Sequence, residues 1–291
     1  LKARIPAYTL FVCFFYFLRC WPPGGPPTFK TPAAMCMLVC APLKDIEREK
    51  KKGATSIIHF WEWYICTNTT QMKYRLLGRS GLRVSEMCLG CGTLGTNWGD
   101  LGANQEESNK ILEGFANAGG NYLDTSNRYQ ESQSEQWVGE FIQKERDFFV
   151  VGTKYSLGDG AADFNGVGKI TNQKDPNNRG NHRKNLRRSV EGSLKRLKTD
   201  YIDVLWLHIW DYTTPFDEIV LSVNDLIKEG KVLYAGLSSV PAWQVSRMNT
   251  YADYHGMHPF IALQNEWSLV ERSHEPEYLP MCKELDIGMT C

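Results

Sequence analysis

From Met72 onward, short apolar runs alternate with amphipathic stretches, and the two periods are easy to separate. "SEMCLGCG", "NYLD", "FFVVGTK" (148–154), "YIDVLWLH" (201–208), "VLYAGLS" (232–238), "FIALQ" (260–264) and the terminal "GMTC" read as strands. The continuous apolar character of "FFVV" marks a strand buried on both faces. Between them stand helical patterns. Residues 104–120 place Ile111, Leu112, Phe115 and Ala118 at helical spacing behind a capping Asn104 with Glu107 three on, and stop at Gly-Gly. Residues 132–142 open on Ser132-x-x-Glu135, the pattern of a capping box. Residues 181–199 carry Leu186, Val190, Leu194 and Leu197 on one side. Residues 214–230 start with Thr214 as cap and Pro215 at the first helical position, and helices are also expected over 241–256 and 276–286. Repeated β-α units with short connections demand a parallel sheet covered by helices, an α/β fold.

The first 71 residues follow no such pattern. "YTLFVCFFYFL" (8–18) is apolar behind Lys2 and Arg4, then come "PPGGPP" (22–27) and the charge run "KDIEREKKK" (44–52). The apolar run is shorter than the about 20 residues a bilayer span needs. Its basic flank is that of a targeting signal, yet the chain starts at Leu1 and no A-x-A cleavage site follows. The division expected is therefore an irregular extension over 1–71, disordered or foreign to the fold, and a domain over 72–291, with secretory or membrane targeting by residues 1–20 as the lesser reading.

Totals exclude more than they assign. With 42% apolar and 23% charged residues, and Lys+Arg and Asp+Glu both at 33, the chain has no net charge to draw it to nucleic acid or to a membrane surface. Nine cysteines without regular spacing are no disulfide framework. Cys88 and Cys91 form a C-x-x-C, but with no second such pair no metal site is expected. On a strand, an offset of three sends the two thiols to opposite faces.

"GCGTLG" (90–95) is a literal G-x-G-x-x-G after a strand. A dinucleotide fold needs a helix N-terminus directly behind it to meet the pyrophosphate. Here "TNWGDLG" intervenes, and Asp124 stands further on than the about 20 residues that reading requires. A (β/α) barrel instead predicts functional groups at the C-terminal ends of several strands. Asp124, Lys154, His208, Ser238 and Gln264 close five consecutive strands.

Those residues carry a resemblance. "YLDTSNRY", "VGTK", "YIDVLWLH", "GLSS" and "LQNEWSLVER" resemble the aldo-keto reductases. "GNHRKNLRRSVEGSLKRLKTDYIDVLWLHIWDYTT" and "KVLYAGLSSVPAW" are similar to the fungal aryl-alcohol dehydrogenase and norsolorinic acid reductase branch. The resemblance covers 72–291. It implies a (β/α)8 TIM barrel and an NADP-dependent oxidoreductase of secondary metabolism, cytoplasmic, acting on a small carbonyl or alcohol. Its catalytic tetrad falls on Asp124, Tyr129, Lys154 and His208. Its nicotinamide contacts fall on Ser238 and Gln264, with Ser239 where the family has Asn or Asp. Gly92 and Thr93 lie where backbone approaches NADPH, and Trp98 and Trp210 in loops are candidate walls of a substrate pocket. The chemistry suits the residue types. A phenol has a reference pKa of about 10, and a neighbouring ammonium favours the phenolate, so Lys154 would ready Tyr129 to donate a proton, Asp124 would hold Lys154, and His208 would place the carbonyl oxygen. The resemblance also implies one further strand and two further barrel helices beyond Cys291, with the aromatic that stacks on nicotinamide and the basic loop that grips the 2′-phosphate. The expected barrel is thus incomplete, and the alternative to a reductase is a catalytically impaired remnant or a non-catalytic binding subunit, akin to the reductase-like β subunits of potassium channels.

Overall fold

The computed structural model describes residues 72–158 and 175–291, together with the backbone of Leu10–Phe11. The rest of the 1–71 extension lies outside the described residues. In chain order the strands are β1 (Leu10–Phe11), β2 (Tyr74–Leu76), β3 (Arg83–Ser85), β4 (Cys88–Gly90), β5 (Tyr122–Asp124), β6 (Val150–Tyr155), β7 (Ile202–Leu207), β8 (Val232–Ser238), β9 (Phe260–Gln264) and β10 (Gly288–Thr290). The helices are α1 (Gln105–Asn117), α2 (Gln133–Ile142), α3 (Arg183–Leu197), α4 (Phe216–Lys228), α5 (Ala242–Tyr254) and α6 (Tyr278–Glu284). Strands β4 to β10 pair in chain order, all parallel, and β1 adds beside β10 to make an eight-stranded sheet. The α/β reading holds. Among the described residues no helix is long and apolar enough to cross a membrane.

Two apolar layers result from strand alternation. Leu123, Val151, Leu205, Leu207, Leu237 and Leu263 face the helices and pack against Leu112, Phe115, Val190, Val223 and Val245. Tyr122, Val150, Val204 and Trp206 face the other way and pack on Leu77 and Val84. Cys88 belongs to the inner layer and Cys91 to the helix side, the opposite placement that their spacing predicts.

The antiparallel hairpin β2–β3 has no counterpart in the sequence reading. It lies across the N-terminal ends of the parallel strands on their inner side. Gly78 at its turn has φ +54°, and a Cβ there would stand 2.1 Å from the Ile261 carbonyl oxygen and 2.7 Å from the Gly288 nitrogen. The same hairpin meets Cys88 and Tyr122 on the first strands of the row. One small element touching both ends of the strand series requires the sheet to curl around it, and it closes the floor of the resulting trough.

Two local expectations fail. Ser132 does not cap α2: it has φ +75°, and its hydroxyl donates to the Asn127 carbonyl at 2.6 Å. Its supposed partner Glu135 is buried and bound to β6 and α3 instead. At α4 the cap position is Pro215, not Thr214, whose hydroxyl donates to Asp211 at 2.7 Å. By contrast, Asn104 and Glu107 make the reciprocal capping box on α1 that was expected.

Candidate active site

Register explains how the polar strand ends meet. Gly90, Asp124, Gly152 and Val204 form one cross-strand row, and Lys154, Trp206, Gly236 and Ala262 form the next row toward the strand ends. Lys154 is thus one step above Asp124 on the neighbouring strand, and its long side chain crosses back to it. Nζ donates to Asp124 Oδ2 and to the Thr125 carbonyl, the latter at 3.0 Å. Both side chains are fully inside, with 0% and 2% exposure for Lys154 and Asp124.

Beyond β5 the chain continues the ladder for a few residues. The Thr125 N–H donates to the Gly152 carbonyl at 2.8 Å and the Asn127 N–H to the Lys154 carbonyl at 3.2 Å. It then turns so that the Tyr129 ring faces the Lys154 ammonium, 4.7 Å from Nζ to ring centre. His208, one residue past β7, meets that ring edge-on at 5.7 Å, and its Nδ1 lies 3.3 Å from Ser126 Oγ. Trp98 meets Tyr129 edge-on at 6.3 Å.

The electrostatics follow from burial and proximity. Burial works against the Lys154 ammonium, but Asp124 and Tyr129 together outweigh it and hold its pKa above the ordinary lysine value. Burial pushes the Asp124 carboxyl upward, while Lys154 and the side chain of Gln264 pull it back in part. Burial, reinforced by the charge of Lys154, holds His208 well below the usual imidazole range, so the ring is neutral at pH 7. The result is a cation held beside a phenol, with a neutral imidazole across from it.

Gln130 was not singled out from sequence, and it secures this arrangement. It is fully buried with φ +51°, and Glu131 and Ser132 after it are also left-handed, at +53° and +75°. Its amide nitrogen donates to the Gly92 carbonyl at 3.3 Å, its amide oxygen accepts from the Trp98 N–H at 2.8 Å, and its carbonyl accepts from Asn97 at 2.9 Å. The loop after β4 is therefore bolted to the segment carrying Tyr129. Three left-handed residues without glycine are costly, at about 1–2 kcal/mol each, and hold only where surrounding bonds impose them. Nothing in a Tyr-Gln-Glu-Ser string announces that geometry.

The other expected residues divide. Ser238 and Gln264 are register partners at the ends of β8 and β9, on the inner face with Asp124 and Lys154. Ser239 is exposed at φ +51°, and its N–H donates to Asn265 Oδ1 at 3.0 Å. Gly92 is buried, and Thr93 is exposed with its carbonyl accepting from the Ala103 N–H at 2.8 Å. Trp210 joins the helix-side core and lines a groove of about 530 Å³ with Tyr212, Phe216, Gln244 and Arg247. Gly95 of "GCGTLG" serves loop packing: it has φ +148° and lies against the Gln130 side chain. Only a 3-10 turn at Gly99–Leu101 follows, and the α-helix begins at Gln105.

The model of the aldo/keto reductase family matches residues 86–291. The chain belongs to the aldo/keto reductase family. A norsolorinic acid reductase of Aspergillus flavus is 42% identical over 221 residues, covering 74% of this chain and 55% of that protein. An aryl-alcohol dehydrogenase of Pestalotiopsis microspora is 42% identical over 223 residues, covering 73% and 54%. A norsolorinic acid reductase of Emericella nidulans is 41% identical over 216 residues, covering 72% and 54%. The chain thus spans about half the length of the curated relatives it matches. Asp124, Tyr129, Lys154, His208, Ser238 and Gln264 all lie within the matched residues 86–291.

Proposed function

We propose that this chain is the larger part of an NADPH-dependent reductase that converts an aldehyde or ketone, aromatic in the first instance, to the alcohol, within a (β/α)8 barrel. The supporting observation is the Asp124–Lys154 pair set under the Tyr129 ring, with neutral His208 at its edge. The names of the relatives, norsolorinic acid reductase and aryl-alcohol dehydrogenase, point the same way.

The inner mouth has room and partners for the cofactor. A Cβ built on Gly90, in register with Asp124, meets nothing within 4 Å, so that strand end opens onto free space. Ser238 and Gln264 offer a hydroxyl and an amide at the same mouth for the nicotinamide carboxamide, and Gly92 and Thr93 offer backbone. NADPH, when bound, supplies the hydride. The protein's own part is the proton. Reduction of a carbonyl leaves an oxyanion, and Tyr129 is the group positioned to protonate it. A phenol alone is a weak acid at neutral pH. The Lys154 ammonium beside it favours the phenolate that remains after transfer. Asp124 fixes that ammonium by its hydrogen bond and keeps it charged. His208, neutral, can donate a ring N–H to the carbonyl oxygen without competing as a cation. Trp98 offers an apolar wall beside Tyr129.

A titration of NADPH followed by its fluorescence, together with reduction of aryl aldehydes, tests this reading. Saturable binding with Tyr129-dependent reduction supports it. Binding with undiminished reduction in Tyr129→Phe refutes the assignment.

A further inference from the structure

The indole of Trp206 lies on the inner face, in register with Lys154, and it is wholly buried. Its neighbours on both flanking strands are glycines. A Cβ on Gly236 would lie 2.4 Å from two ring carbons of the indole, and a Cβ on Gly152 would lie 2.8 Å from its Nε1. The ring thus fits only because β6 and β8 both lack a side chain at those positions.

Two polar atoms face the place where a side chain of residue 152 would start. The same Cβ that would stand 2.8 Å from Trp206 Nε1 would stand 3.3 Å from Asp124 Oδ1. Neither atom has a hydrogen-bond partner of normal geometry among the described residues. The other carboxylate oxygen is taken by Lys154, and the Gln264 side chain is the remaining group drawing on Asp124. An N–H donor and a carboxylate oxygen without partners, both buried against Gly152, are each costly to leave unsatisfied. One water between them relieves both, since buried waters bridge such polar pairs.

We propose that Trp206 is a positioning residue for the proton-transfer site: its indole N–H, crowded with Asp124 Oδ1 against Gly152, holds that oxygen through one bound water. Asp124 is then gripped at both oxygens, Lys154 on one and the indole on the other, and the carboxylate plane that aims Lys154 at Tyr129 is fixed. The glycines at 152 and 236 exist to admit the indole and the water. This role rests on the proposed reaction only for its purpose; the contact itself does not depend on turnover.

The test is therefore spectroscopic first. The Trp206 indole N–H is assigned in the ¹⁵N spectrum of the chain as the resonance lost in Trp206→Phe. It should move on Asp124→Asn, and in the unsubstituted chain it should titrate together with the Asp124 carboxyl carbon. An indole resonance indifferent both to that substitution and to that titration overturns the proposal, and the titration serves even if Asp124→Asn folds poorly. Kinetics give the second readout. Trp206→Phe keeps the ring and removes the donor, so Asp124 becomes harder to ionise and the acid limb of the rate profile should move up by about one pH unit, the scale of a hydrogen bond to a charged group. Gly152→Ala, which fills the space, should move it the same way. A loss of folded protein with the limb unmoved would show packing alone. Should the indole shift as expected while Tyr129→Phe reduces carbonyls normally, the contact stands and the proposed reaction falls.

Discussion

Thr153 and Lys154 are consecutive on β6 and point to opposite sides of the sheet, each toward a buried carboxylate. On the helix side, Glu135 of α2 is fully buried. Its Oε1 accepts from Thr153 Oγ1 at 2.5 Å and its Oε2 from Arg196 Nε of α3 at 2.6 Å. On the inner side, Asp124 takes Lys154, and the ammonium then lies beside the Tyr129 ring, which the neutral imidazole of His208 meets edge-on. The outer carboxylate spends both oxygens tying a strand and two helices together. The inner pair is held by the Thr125 carbonyl and by Gln264, and its ammonium is turned to the phenol of Tyr129 rather than to a second helix. Burial of an ion pair is by itself weak grounds for either stability or function. What separates the two is whether the remaining valences are turned inward to the fold or outward to a reactant.

Four measurements break or sharpen that contrast. The largest effect belongs to the inner side. In Tyr129→Phe, carbonyl reduction should fall by about 10²–10⁴-fold, the usual share of a general acid, with NADPH affinity and the thermal midpoint nearly unchanged. The second belongs to the outer side. Glu135→Ala removes the partner of both Thr153 and Arg196, and urea denaturation should show a loss of about 3 kcal/mol, while reduction per folded molecule persists. If Glu135→Ala instead abolishes reduction at full stability, the two sides are not separable as described. Third, Gln130→Ala should cost about 1–3 kcal/mol through the hydrogen bonds lost and should lower turnover, because the Tyr129 segment is no longer tied to the loop after β4. Unaltered turnover would show that the left-handed run holds its shape without that bolt.

The smallest effect is a pH dependence. Folded His208 stays neutral where a free imidazole, with pKa about 6.5, takes up a proton. Below that pH the unfolded chain binds more protons than the folded one, so stability falls as pH falls. The contribution is intact above about pH 6.5 and is lost progressively beneath it. In His208→Gln the fall of the urea midpoint between pH 6.5 and 5 should be shallower than in the unsubstituted chain, a window set by the free imidazole value of about 6.5. An equal slope in both would mean that the ring is protonated in the folded state.

How much of this is legible in sequence depends on the range of the forces. Strands β8 and β9 begin and end at the expected residues because apolar content and β-branched residues act locally. Asp124, Lys154 and His208 stand out singly as polar residues at or beside the ends of apolar runs, and strand register is what brings them to one place. Ser132-x-x-Glu135 misled because the pattern is shared by real caps, and what captured Glu135 was Arg196, sixty-one positions on. Gln130 was missed for the same reason: its conformation is imposed by Gly92 and Trp98 from another loop. Trp206 was read only as part of an apolar run, since nothing local reveals that glycines on two other strands make room for it.

The hairpin β2–β3 has a consequence in time rather than space. Among the described residues, Gly78 wedged against Ile261 and Gly288 stops the trough at the strands' starting ends, while Asp124 and Lys154 stand toward the other end. A chamber stopped at its base imposes a queue on whatever shares it. If two molecules must share it, the one seated deeper arrives first and departs last, and the outer one cannot be exchanged from behind. The stopper at the base would therefore turn a structural detail, a glycine that tolerates φ +54°, into an order of events at the opposite end.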